Sequence, residues 1–214
     1  LAAVSGVVAT VIGVVCGIIS ATRQYSIFDN IITVISMIGV SMPGFWQGMM
    51  MIVIFSVYLG WFPPSGFSTP LHWVLPCFTI GTVSAASIMR MTRSSMLEVI
   101  RQDYIRTVRA KGVAYGVVIR KHALKNALIP VITVIGLQIG YMLGGSVLTE
   151  TVFAWPGVGR LMVDSINGRD IPMVMGCIIL VCATFSLVNL AVDILYGFVD
   201  PRIKSQYKSG GKSK

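Results

Sequence analysis

Charge is what this sequence has least of. Only 12% of its 214 residues are Asp, Glu, Lys or Arg, against roughly 25% in a soluble domain. Long stretches carry no charge at all, and 55% of the chain is hydrophobic. That combination excludes a soluble globular core and requires a chain built into a membrane. Histidine is scarcer still. His72 reads as a lone interfacial residue and His122 as a surface-loop residue, and His122 has no Cys, His or carboxylate at ligand spacing. The four cysteines, Cys16, Cys77, Cys177 and Cys182, lie in apolar stretches without a CxxC or metal pattern, so they read as buried small hydrophobes. HExxH and paired aspartates at membrane depth are missing, which argues against an intramembrane protease. The GVGR at residues 157–160 lacks the spacing and the Lys-Ser/Thr of a phosphate loop. An initial Met is also missing: the chain starts at Leu1, inside an apolar run, with no basic leader. This start is expected to reflect a fragment lacking an earlier span.

What is present is a series of membrane-length apolar runs. Five spans are expected, at about residues 1–21, 30–61, 72–89, 126–149 and 172–192, since a crossing needs about 20 residues. The second is longer than one straight crossing needs. Pro43-Gly44 interrupts it, which predicts a kink or a broken helix. Small residues recur every four positions: Ser5, Ala9, Gly13 and Gly17 in the first span, and Gly136, Gly140 and Gly144 in the fourth. Such stripes let helix backbones approach closely in lipid. Residues 60–71 read as a tight interfacial loop, and residues 150–172 as a longer segment with a short helix starting near Pro156. The tail, 205–214, has a disordered composition.

The net charge of +9 does not indicate nucleic acid, because its distribution follows the spans. Arg23, then Arg90, Arg93, Arg101, Arg106, Arg109, Lys111, Arg120, Lys121 and Lys125, then the five basic residues of the tail, fall after odd-numbered spans. Only Arg160 and Arg169 fall on the other side. Positive residues stay inside, so the long connector and the C-terminus are expected in the cytoplasm.

That connector, about residues 93–125, is long and patterned. A helix is expected from about Ser95 to Ala110, with Tyr104, Ile105 and Val108 on one face and Arg106 and Arg109 on the other. Gly112 suits a helix end where the backbone turns left-handed. A second helical pattern restarts near Tyr115. Anionic lipid would be satisfied by charge alone; a defined turn with an apolar stripe implies a docking surface.

These residues resemble the EAA loop of ATP-binding-cassette importer permeases, in the form found in the peptide and nickel group. The matching segments are DYIRTVRAKG (103–112), RKHALKNALIP (120–130), GGSVLTETVFAWPGVGRLMVDSINGRD (144–170) and NLAVDILYGFVDPRIK (189–204), with GVSMPGFWQGMM (39–50) and LGWFPPSG (59–66). Arg106, Thr107 and Val108 stand where the general pattern has Glu-Ala-Ala, and His122 and Lys125 replace its Ile and Pro. These departures match the peptide-permease variant.

The resemblance implies an all-α integral membrane protein, a polytopic bundle of the MetI-like permease type, with the permease domain over residues 1–204. It implies a second homologous permease subunit, two ATP-binding-cassette ATPase subunits and an extracytoplasmic substrate-binding protein as partners. ATP and Mg would then be held by the ATPases, and this chain would be no enzyme. Tyr104, Ile105, Arg106, Thr107, Val108, Arg109, Ala110, Lys111 and Gly112 would make the ATPase contact. Di- or oligopeptides are the implied cargo; nickel, glutathione or oligosaccharide are the alternatives. An ion-coupled transporter is a further alternative, but no carboxylate accompanies the break at Pro43-Gly44.

Ser41, Met42, Gln47, Gln138 and Tyr141, polar or adaptable groups within apolar spans, are the candidates for lining a path. Asp193 reads as an interfacial ion-pair partner of the basic tail, and Met49, Met50 and Met51 as packing residues.

Overall fold

The computed structural model describes residues 1–199. The environments of Gly144 and Asp193, and the tail from Ser205, lie outside the described residues. The chain forms α1 (Ala2–Thr22), α2 (Ile27–Ser41), α3 (Gly44–Met51), α4 (Leu71–Ile100), α5 (Asp103–Ala110), a single turn α6 (Tyr115–Val117), α7 (Leu124–Val152), α8 (Val158–Asn167) and α9 (Ile171–Val199). Two wider π-helical stretches interrupt the regular pattern. Ile52–Tyr58 continues α3, and Val118–Ala123 joins α6 to α7. No strand occurs among the described residues. Among the described residues, four helices are long and apolar enough to cross a membrane, and α2 with α3 and its π-helical continuation makes a fifth candidate, bent by 107°.

The bend falls at Met42-Pro43, where both residues are extended. Proline lacks the N–H that a continuous helix would need and disfavours helical backbone before it.

Whether the bent pair crosses follows from its neighbours. α4 is the central helix, packed on α1, α2, α3 and α7. Along α1 and α4 the contacts rise together in sequence. A Cβ on Gly13 would meet Ile88 at 2.8 Å, and one on Gly17 would meet Thr92 at 2.5 Å. Arg93 Nε donates to the Ser20 hydroxyl at 3.0 Å. The two helices are therefore parallel. The chain leaving α1 must return to the opposite end before α4 begins, and α2–α3 makes that return. It is a broken span, not a loop back to the same side.

The other helices alternate in the same way. The Ser95 hydroxyl donates to the Ala127 carbonyl at 2.8 Å, joining the end of α4 to the start of α7. Gly6, near the start of α1, lies against Ile139 in the far half of α7. α9 runs back along α7, with Gly136 facing Val192 and Gly140 facing Phe185. At the opposite end, the Gly66 N–H donates to the Phe153 carbonyl at 3.0 Å. Trp73 packs edge-on against Trp155, ring centroids 4.7 Å apart. The bundle thus has an aromatic end and a basic end.

Several boundaries differ from the sequence expectation. α4 continues to Ile100, well past residue 89, and the helix expected from Ser95 to Ala110 is broken. The break falls at Arg101-Gln102, with Gln102 extended. α8 begins after Gly157, so Pro156 lies just outside it. Glu150 sits on the last turn of α7 instead of in the following segment. His122 is in the π-helical turn, not in a loop. Cys77 and Cys177 are buried, whereas Cys182 is exposed on α9.

Candidate functional site: a basic elbow at one end of the bundle

The elbow is built on one buried residue. Ile105 is fully buried, in a cluster with Ala21, Met96, Val118, Ile119, Ala123 and Ala127. Val108 and Val113 pack on its edge. A straight continuation of α4 would hold α5 in line with it. The break at Gln102 lets Ile105 fold back against Met96. This apolar stripe is what makes an eight-residue helix persist, since so short a helix is marginal alone.

Three further features fix its geometry. The Asn126 amide donates to the Tyr104 hydroxyl at 2.8 Å, tying α5 to α7. The Arg109 guanidinium lies 5.2 Å from the Tyr115 ring centroid, across the turn between α5 and α6, in cation–π range. Gly112 has φ = 77°. That left-handed turn is available to glycine without the usual clash of Cβ with the backbone.

The opposite face is open. Arg106, Thr107, Ala110, Lys111 and Gly112 are exposed, as are Arg101, Arg120, Lys121 and Lys125. Arg106 lies 3.6 Å from Asp103, both side chains being largely in solvent; such a pair contributes little. The result is a rigid, basic knuckle with a buried root. It can present a fixed shape to an acidic partner.

The five candidate path residues do not form one site. Met42 and Gln47 line a cavity of about 430 Å³ between α1, α2, α3 and α4. Tyr141 lines a second, of about 230 Å³, between α3, α4 and α7. Ser41 and Gln138 line neither. Gln47 is buried; its amide nitrogen donates to Thr82 at 2.7 Å, while its carbonyl oxygen has no partner.

Two polar networks escaped sequence reasoning. Asp29, 2% exposed, accepts from Arg93 Nε and Nη2 at 2.8 Å each, from the Tyr25 N–H at 3.0 Å and from the Ser20 hydroxyl. Glu150 is also buried, on α7 at the aromatic end, and accepts from Ser146 at 2.9 Å and from the Arg160 N–H at 3.1 Å. Asp29 and Arg93 stand 64 residues apart, so no local pattern joins them. The only signal was an acid and a base close to span ends.

Comparisons with known proteins agree with this architecture. The chain is 49% identical to the dipeptide transport system permease protein DppB of Alkalihalophilus pseudofirmus, over 92% of this chain and 67% of that protein. It is 46% identical to the glutathione transport system permease protein GsiC of Pectobacterium atrosepticum, over 92% of this chain and 64% of that protein. The chain thus spans about two thirds of the length of the curated relatives it matches. A solved structure of the MetNI methionine ABC transporter, in an inward-facing conformation, shares the fold. Its TM-score is 0.76 at 23% identity, covering 92% of this chain and 90% of that one. Residues 13–205 match the family described as "Binding-protein-dependent transport system inner membrane component". This chain belongs to that family of inner-membrane transport components.

Proposed function

We propose that this chain is the permease subunit of an ATP-driven importer of short peptides. The observation that carries the reading is the elbow, with Ile105 buried as its root and a basic face left open. Its basic end faces the cytoplasm, where positive residues are retained. Two ATPase subunits, holding ATP and Mg, dock there and take the open α5 face between Tyr104 and Gly112. Ile105, expected in that contact, is instead buried beneath it and only supports the face. When they close on nucleotide, they push a rigid lever that tilts α4 and α7. A second permease subunit completes the path, and an extracytoplasmic binding protein delivers cargo to the aromatic end. Peptide cargo is supported by the 49% identity to a dipeptide permease. Glutathione, itself a short peptide, has comparable support at 46%.

The test uses the complete transporter in membranes. Gly112→Pro cannot adopt φ = 77°, because proline fixes φ near −65°. Inserted normally, this variant should lose ATP-dependent peptide uptake. A cross-linker placed at Arg106→Cys should capture a nucleotide-hydrolysing neighbour. Wild-type uptake by Gly112→Pro, or no such neighbour at residues 104–112, would refute the reading.

A further inference from the structure

The elbow lies at one end of the bundle, whereas the broken span α2–α3 runs along its side. No α2 residue belongs to the cluster that holds Ile105. α1 follows α4 as one body, because Gly13 and Gly17 bring their backbones into close contact. α2 is joined less firmly. An open groove of about 630 Å³ runs between it and the last turns of α4, bounded by Thr33 and Met37 on one side and Arg90, Arg93 and Leu97 on the other. Farther along, α2 borders the cavity of about 430 Å³ that holds Met42 and Gln47. Apolar packing is therefore interrupted twice along this helix.

One polar joint bridges the gap. Asp29 stands in the first turn of α2 and Arg93 seven residues before the end of α4. The guanidinium grips both carboxylate oxygens at 2.8 Å. A bidentate pair fixes orientation as well as distance, which a lysine cannot do. Ser20 and the Tyr25 N–H bond the same carboxylate, so α1 and the α1–α2 turn meet at the same point. Arg93 is one turn from Met96, which packs in the cluster around Ile105.

We infer that Asp29 and Arg93 are positioning residues for coupling: their ion pair transmits movement of α4 and the elbow to α2, the first limb of the broken span. This rests on the reading of the chain as an ATP-driven permease. Without the pair, the ATPases still push the elbow, but α2 no longer follows, although α3 stays tied to α4 through Gln47 and Thr82.

The experiment compares Asp29→Asn, Arg93→Gln and the double variant with wild type, each in the assembled transporter in vesicles. Peptide uptake and ATP hydrolysis are measured together. Each single variant should lower uptake per ATP by about tenfold, with hydrolysis held within about twofold. The double variant should be no worse than either single one, as expected of two residues acting as a unit. A merely structural role would lower uptake and hydrolysis together, in step with the amount of assembled complex; that result overturns the joint, as does an unchanged ratio. Should the neutral variants fail to accumulate, Arg93→Lys decides: a lowered ratio supports the joint and a wild-type ratio overturns it. A wild-type transporter without ATP-dependent peptide uptake overturns the functional reading, and the joint with it. Normal wild-type coupling with unaltered variants overturns the joint alone.

Discussion

Glu150 organises the turn at the aromatic end. One of its oxygens accepts from Ser146, a turn back on α7, and the other from the Arg160 N–H in the first turn of α8. The free N–H groups and dipole at a helix start favour an anion. Gly157 and Gly159 leave it room: a Cβ on either would strike the carboxylate, and one on Gly159 would also lie 2.6 Å from Val147 Cα. The GVGR sequence is thus a cradle for the chain's own side chain. Glu150→Ala should cost about 1–2 kcal/mol, the usual loss of a helix cap, and speed amide exchange across α8. Glu150→Gln, which keeps an acceptor, should recover part of it. Identical exchange in wild type and Glu150→Ala would remove the capping role. Gly112 poses a different problem. Nothing lies within 4 Å of where its Cβ would stand, so the cost of a side chain is conformational alone. Gly112→Ala should cost about 1 kcal/mol and Gly112→Asn less, since asparagine tolerates the left-handed turn. Uptake should fall in the order Gly, Asn, Ala, Pro; an order set by side-chain size would argue for a contact instead.

At the scale of elements, the α1–α4 seam is the tightest test. Ser5 and Ala9 are fully buried, and Gly13 and Gly17 continue their stripe against Ala85, Ile88, Met89 and Thr92. A Cβ on Gly17 would reach the Met89 carbonyl oxygen at 2.8 Å as well as Thr92, so backbone must move to admit it. Gly17→Leu should destabilise by about 1–3 kcal/mol, the range for overpacking, and lower the melting temperature of the purified transporter. An unchanged melting temperature would mean that α1 does not ride on α4. This stripe was legible because small residues at every fourth position let helix backbones approach closely in lipid. The five spans were legible from apolar length, and the α2–α3 break from Pro43. The break at Gln102 was not. No Gly or Pro marks it, and the helical period runs through it unbroken. Burial of Ile105 against Met96 and Val118 overrides the local pattern. The Asp29–Arg93 pair was hidden for a related reason, because only the packing of α2 against α4 brings its partners together. The apolar face of α5 was readable in outline, although Tyr104 serves it through its hydroxyl and stays exposed.

For the whole molecule, the strongest consequence is topological. Two parallel neighbours, α1 and α4, cannot be consecutive spans unless the chain between them also crosses. The alternative, α2–α3 as a re-entrant loop, would return the chain to the side where α1 ended and force α4 to run antiparallel to α1. The contacts at Gly13, Gly17 and Ser20 exclude that arrangement. Sidedness can be read with an impermeant thiol reagent after the four native cysteines are replaced. Arg23→Cys and Lys121→Cys should react only when the cytoplasmic face is opened. Ser65→Cys and Asn167→Cys should react from outside. All four positions are exposed, on the turn after α1, at the elbow, before α4 and at the end of α8. If Arg23→Cys and Ser65→Cys reacted from one face, α2–α3 would not cross and the broken-span assignment would fall. If the pairs separated correctly but with Lys121→Cys outside, the crossings would stand and the elbow would face away from any cytoplasmic ATPase. The first outcome tests the packing of α1 on α4, and the second tests the direction in which positive charge holds the bundle.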